Sequence, residues 1–218
     1  MARKIESVTI PGPVGDIEAL LEEPDEVETA TVAFSEVTLV CHPHPLFGGT
    51  MHNKVVYRMA RGFRKSGSVV LRFNFRGVGR TQGAHDDGRG EMDDARACLE
   101  FLRARYPELP FSIAGFSFGS RVALQLGCSM QEDAVKPVRL VPVGFPTWKY
   151  NFDFLTTCVL PKYFVQSTND EHGPRSALEA MFEKFPEPKL LQFIEARDHF
   201  FAGALEELEA VIASLPKQ

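Results

Sequence analysis

The sequence predicts an α/β fold. It should form a doubly wound, mostly parallel sheet with helices on both faces, an N-terminal antiparallel hairpin and no large lid domain, as a single domain over residues 1–218. Three observations predict it. Short runs such as 37–41 and 69–73 are apolar throughout, as strands covered on both faces are. Segments of helical periodicity alternate with these runs, the pattern of repeated strand–helix–strand units. A chain of 218 residues, 44% hydrophobic, is long enough to bury a sizeable core without a disulfide or metal staple.

The elements follow in order. Residues 4–10 alternate as a strand, Pro11-Gly12-Pro13 breaks the run, and 14–21 returns to complete the hairpin. The run 37–41 is a strand. Residues 53–65 place Val55, Val56, Met59 and Phe63 on one helical face. The strand 69–73 leads to a helix over 91–105 with Ala95, Cys98, Leu99 and Leu102 on one stripe. Strand 111–114 is followed by helix 118–128, then by strand 139–143, which Pro142 weakens. Strand 163–166, helix 177–185, strand 190–194 and a final helix over 200–214 complete the chain. In such a sheet, chemistry gathers at the carboxyl ends of the strands.

The strand 111–114 runs into Gly115-Phe116-Ser117-Phe118-Gly119, and a helix follows. This is G-x-S-x-G between a strand and a helix, the setting in which it presents a nucleophile. The serine must sit on a tight, strained turn, and flanking glycines remove side chains that would collide with neighbouring backbone. Its hydroxyl then stands at the positive end of the next helix, and the N–H of Phe118 points where an oxyanion would form.

A serine needs a base to take its proton. Downstream lie His172 and His199. The order nucleophile, acid, base favours His199, which follows the last strand, with Asp170 after strand 163–166 as the acid. Asp170 would hold the imidazole in one tautomer and stabilise its cation. Glu171 and Asp198 are the alternative acids. A second oxyanion N–H should come from Cys41-His42-Pro43-His44-Pro45-Leu46-Phe47-Gly48-Gly49. Pro43 and Pro45 have no N–H to give, which leaves His44 or Leu46. His42 reads as a buried brace of this loop. Arg76, in Asn74-Phe75-Arg76-Gly77-Val78-Gly79, reads as a tie between loops; Gln82 stands where a phosphate-cradling glycine motif needs its third glycine.

Composition excludes other classes. A net charge of −5 does not suit a polyanionic partner, so no nucleic acid is expected. No stretch approaches the ~20 apolar residues of a membrane helix, and residues 1–13 lack the apolar centre of a signal peptide. Cys41, Cys98, Cys128 and Cys158 have neither zinc nor redox-pair spacing and read as buried free thiols in a reducing, cytoplasmic compartment. One count is unusual: 18 Phe against 4 Tyr and 1 Trp.

Together, His42-Pro-His-Pro with Gly48-Gly49, Asn74-Phe-Arg-Gly-Val-Gly79, Gly115-Phe-Ser-Phe-Gly119, Asp170 and Asp198-His199-Phe200 resemble the α/β-hydrolase superfamily. The likeness runs from about residue 35 to the C-terminus and is to its small, lid-poor, dienelactone-hydrolase-like bacterial members. It implies a Ser117–His199–Asp170 triad, ester hydrolysis and no metal or organic cofactor. True dienelactone hydrolases carry a cysteine where Ser117 stands, so the expectation is a carboxylesterase acting on small or short-chain esters. The same triad would serve a serine peptidase or thioesterase, and the fold would also serve a non-catalytic binding protein. Segment 144–160, where lids are inserted, is short and aromatic. Phe47, Trp148, Phe152 and Phe200 are the expected substrate-binding walls. The expected partner is a small-molecule ester, with no membrane; the oligomeric state stays open between monomer and homodimer.

Overall fold

The computed structural model describes residues 5–24, 34–148 and 150–217. Lys4, which opens the expected first strand, lies outside the described residues. The hairpin is β1 (Ile5–Gly12) and β2 (Gly15–Glu22), in a register that places Ile10 opposite Ile17. Pro11 and Gly12 continue β1 instead of ending it, and the turn falls at Pro13 and Val14. This corrects the expected break. β1 is an edge strand, and an edge tolerates a residue with no N–H to donate.

The remaining elements are β3 (Glu36–Cys41), α1 (Lys54–Lys65), β4 (Ser68–Phe73), α2 (Arg89–Arg105), β5 (Phe111–Phe116), α3 (Phe118–Ser129), β6 (Arg139–Val143), β7 (Lys162–Ser167), α4 (Arg175–Phe182), β8 (Lys189–Ile194) and α5 (Leu205–Ser214). One eight-stranded sheet runs β1-β2-β4-β3-β5-β6-β7-β8. β2 pairs antiparallel with β1 and β4, and every other pairing is parallel. The expected doubly wound, mostly parallel sheet is therefore present.

Alternation along each strand feeds two cores. Val37, Leu39 and Cys41 of β3 join Leu99 of α2 and Val122 and Leu126 of α3 on one face. Val40 joins Val56, Met59 and Phe63 of α1 and Leu208 and Ile212 of α5 on the other. Both faces are covered, which is why these strands are mostly apolar. Buried exceptions such as Thr38 and Arg72 are paired, Thr38 Oγ1 with Ser68 Oγ at 2.7 Å and Arg72 Nε donating to Glu22 Oε1 at 2.6 Å. α1 shows the local logic. Asn53 Oδ1 accepts the N–H of Val55 at 2.9 Å and caps the helix, and Arg64 and Lys65 sit at its negative end. No described helix is long and apolar enough to cross a membrane.

Two expectations are corrected. The last helix starts at Leu205, not at 200. Asp198 Oδ1 accepts the N–H groups of Phe200 (2.9 Å) and Ala202 (3.0 Å), and Phe201 takes φ 56°, so 198–203 is a capped turn rather than helix. Cys128 and Cys158 form a disulfide with Cα atoms 5.6 Å apart, whereas Cys41 and Cys98 are buried free thiols. Segment 144–160 folds back over the C-terminal end of α3, which brings two cysteines 30 residues apart into contact.

The chain reverses its winding beside β3. It proceeds from β3 to β4 on one side and later places β5 on the other. The crevice at the carboxyl ends of β3 and β5 is the switch point where ligands bind in open sheets. Both loops read as functional from the sequence leave from these two strand ends.

Candidate active site

β5 ends at Phe116 and α3 begins at Phe118, which leaves Ser117 alone at the turn with φ 56° and ψ −120°. A left-handed conformation in a residue other than glycine costs on the order of 1–3 kcal/mol and persists only where surrounding contacts enforce it. Here the Ser117 N–H donates to Val143 O at 2.9 Å, and its carbonyl accepts Ser120 N–H (2.9 Å) and Oγ–H (2.6 Å). A Cβ on Gly119 would run into the carbonyls of Cys41 and His42, so only glycine lets α3 start against the end of β3. The N–H of Phe118 lies in the first turn of α3, where no intrahelical acceptor exists.

His199 is 2% exposed and stands between aromatic neighbours. Phe116 stacks on it with centroids 4.8 Å apart, and His172 meets it edge-on at 4.6 Å. Its Nδ1 lies 2.7 Å from Asp170 Oδ2. Its Nε2 is buried and has no hydrogen-bond partner among the described residues. Gly144, φ 56°, lets His199 come close; a Cβ there would be 3.1 Å from His199 Cε1 and closer still to the Phe116 ring. The Ser117 N–H is bonded to the carbonyl of Val143, and the next residue, Gly144, is the one that His199 approaches.

Asp170 is fully used. Oδ2 faces His199 and accepts Gln166 Nε2–H at 2.9 Å, while Oδ1 accepts the N–H groups of His172 (2.8 Å) and Gly173 (3.0 Å). The alternative acids serve backbone. Glu171 accepts the His199 N–H at 3.1 Å, and Asp198 caps the following turn.

The loop after β3 makes a 3-10 turn at Pro45–Phe47. The His44 carbonyl accepts Phe47 and Gly49 N–H, each at 3.1 Å. The Leu46 N–H points back to His44 Nδ1 at 3.3 Å and its side chain is 69% exposed, so Leu46 is turned away from Ser117's helix. The His44 ring instead lies 4.9 Å from Phe118. His44 and Leu46 both stand in this loop as the candidates for the second oxyanion N–H. Arg76 grips Asp94 through Nε, Nη2 and its backbone N–H, so it ties the loop after β4 to α2.

His42 braces the loop. Its Nε2 accepts the Phe75 N–H at 3.0 Å, which makes Nδ1 the protonated nitrogen, donating to Pro43 O at 2.6 Å. Burial pushes its pKa from 6.5 down to about 4. Between those values the unfolded chain binds a proton that the folded chain refuses. Stability should therefore be complete above about pH 6.5 and fall as pH drops towards 4, by roughly 3 kcal/mol from this residue. Urea unfolding across pH 4–7 checks this: His42→Gln should flatten that part of the profile.

A cleft of about 380 Å³ opens beside these residues, walled by His44, Phe47, Phe118, Trp148, Tyr150 and His172, with Pro146. Of the residues expected to form substrate-binding walls, Phe47 and Trp148 line this cleft. Phe152 does not. It is 4% exposed and packs on Phe145 with centroids 4.4 Å apart, so it belongs to the core beneath the cleft. Phe200 is on the cleft's outside, edge-on to His199 at 5.3 Å with Lys54 Nζ 5.6 Å from its ring. Tyr150, one of several aromatics in 144–160, and His172, which the sequence offers only as a candidate base, also line the cleft. Residues 144–160 contain little regular structure, so no periodicity tells which aromatics face out.

A family model described as an alpha/beta hydrolase domain matches residues 39–208. An uncharacterized protein of Rickettsia prowazekii (strain Madrid E) is 36% identical over 211 residues, covering 92% of this chain and 84% of the relative. Among solved structures, an α/β serine hydrolase without a lid from Xanthomonas campestris superposes with TM-score 0.85 at 31% identity, over 97% of this chain and 93% of that one. An α/β serine hydrolase homologue from Coxiella burnetii gives 0.84 at 34% identity, over 95% of each.

Proposed function

This chain belongs to the α/β-hydrolase family, and from that membership we propose that it cleaves small or short-chain carboxylic esters through an acyl-enzyme on Ser117. One observation carries the reading. A serine held at a strained strand-to-helix turn shares its site with a buried histidine whose Nδ1 is fixed by Asp170 and whose Nε2 is unpaired among the described residues.

The steps follow from those positions. Ser117 Oγ attacks the ester carbonyl as His199 Nε2 takes its proton, and Asp170 stabilises the imidazolium without being protonated. The carbonyl oxygen becomes an anion, for which the N–H of Phe118 and that of His44 are the donors. His199 then gives its proton to the departing alcohol. Water attacks the acyl-enzyme with His199 again as base, releasing the acid and restoring Ser117. Every proton is returned, and the reaction consumes only ester and water.

The preference for small esters is supported by the short 144–160 segment, which supplies one 3-10 turn (Asp153–Thr156) rather than a lid domain. Turnover of matched p-nitrophenyl acetate and laurate esters, a thioester and a p-nitroanilide tests the reading. The acetate should exceed the laurate and the anilide in kcat/KM by about a hundredfold, since no lid encloses a long chain. Equal or faster cleavage of the thioester or anilide would overturn the ester assignment.

A further inference from the structure

The walls of the cleft are rings. Four aromatic and two imidazole side chains face it, with Pro146. Among the described residues the lining has no Leu, Ile, Val or Met and no Asp, Glu, Lys or Arg. Flexible alkyl chains suit adaptable aliphatic walls; planar groups suit fixed ring faces and edges.

These rings lean on one another and, at Tyr150 and His172, on residues outside the cleft. The Arg121 guanidinium lies 4.1 Å from the centroid of Tyr150 and is itself tied to the Asp87 carbonyl through Nη1 at 3.1 Å. His172 lies 6.3 Å from Trp148 and 4.6 Å from His199. Phe47 rests against His44 at 4.6 Å, and His44 against Phe118 at 4.9 Å. The volume of this open cleft, about 380 Å³, is near the lower end for small-molecule sites and fits one ring with a short linker.

The position of the cleft selects one half of the substrate. His44 and Phe118 form its wall with their side chains and supply the candidate oxyanion donors with their backbones. A group entering here is thus attached at the carbonyl. Phe200 does not line the cleft; it lies edge-on to His199 at 5.3 Å and is 37% exposed, and the departing alcohol is assigned to this exposed flank.

We propose that the cleft binds a planar aromatic acyl group, so that the natural substrate is an aryl-carboxylic ester of benzoyl or cinnamoyl type. The inference rests on the ester-hydrolase reading. The aroyl group passes from the ester oxygen to Ser117 Oγ as the alcohol leaves with a proton, and then to water, giving the free aromatic acid.

Ethyl benzoate and ethyl cyclohexanecarboxylate have acyl rings of the same size, but only one is aromatic. Their kcat/KM values, each divided by the ester's own hydroxide-catalysed rate, isolate the ring contacts. Offset and edge-to-face contacts with two or more walls should favour benzoate by about tenfold. Trp148 is 65% exposed, so Trp148→Leu removes a wall without entering the core; it should bring the ratio below about threefold. Labelling of Ser117 by a fluorophosphonate is measured alongside. A labelled enzyme that turns over ethyl acetate but shows a ratio near one would overturn the aryl proposal while leaving the ester reading intact. A high ratio unchanged by both Trp148→Leu and Tyr150→Leu would also overturn it. An enzyme that neither labels nor turns over any ester overturns the reading beneath it.

Discussion

Replacing Ser117 by Ala is expected to lower kcat/KM on p-nitrophenyl acetate by about 10⁴- to 10⁶-fold. The size follows from the geometry. With Oγ gone, the nucleophile would have to be water, which lacks Ser117's fixed position above β5 and beside His199. The proposed Phe118 and His44 donors would remain, and they would account for a residual rate over solution hydrolysis. The fold should not suffer. Ser117 is held through backbone bonds to Val143 and Ser120, and Ala keeps the same Cβ. An unchanged unfolding midpoint with lost turnover separates chemistry from stability. A variant with a tenth of the original rate would mean that another group attacks.

Asp170→Asn should cost about 10⁴-fold in kcat with little change in KM. The four donors around Asp170 explain why. Oδ1 accepts two backbone N–H groups, so the amide oxygen of Asn must occupy that position. Its NH₂ then faces His199 Nδ1 and the Gln166 NH₂. Two donors meet at Nδ1, and the imidazole relieves the clash by moving its proton to Nε2. That tautomer cannot accept the proton of Ser117. Steady-state kinetics above pH 7 measures the loss. A loss below about tenfold would show that Asp170 is not the residue that orients His199.

Much of this arrangement is legible in the sequence because the sheet is covered on both faces. Residues 37–41 and 69–73 are apolar but for Thr38 and Arg72 for that reason, and they stand out from amphipathic helices such as α1. The turn at Ser117 is legible because its glycines answer a local steric demand, written into five consecutive residues. What failed to show depends on contacts distant in sequence or on irregular backbone. Residues 200–214 look continuously helical, yet Asp198 captures the N–H groups of Phe200 and Ala202 and delays α5 to Leu205. The Cys128–Cys158 pairing depends on how 144–160 folds over α3, and a spacing of 30 residues contains no trace of it. Tyr150 and Phe152 are two residues apart in an irregular segment. One faces the cleft and the other the core, and their chemistry is too similar to tell which from the sequence. The excess of Phe has the same double meaning. Phe63, Phe73, Phe111 and Phe164 fill the cores on either face of the sheet, whereas Phe47 and Phe118 line the cleft and Phe116 stacks on His199.

Ser117 is expected to carry an acyl group during turnover. Rapid mixing of the protein with excess p-nitrophenyl acetate tests this most directly, with the quenched protein digested and weighed. The account predicts a burst of nitrophenol close to one equivalent per chain when deacylation is slower than acylation, and an acetyl group on the peptide holding Ser117. A burst with the acetyl group on another residue, or steady turnover undiminished in Ser117→Ala, would contradict it.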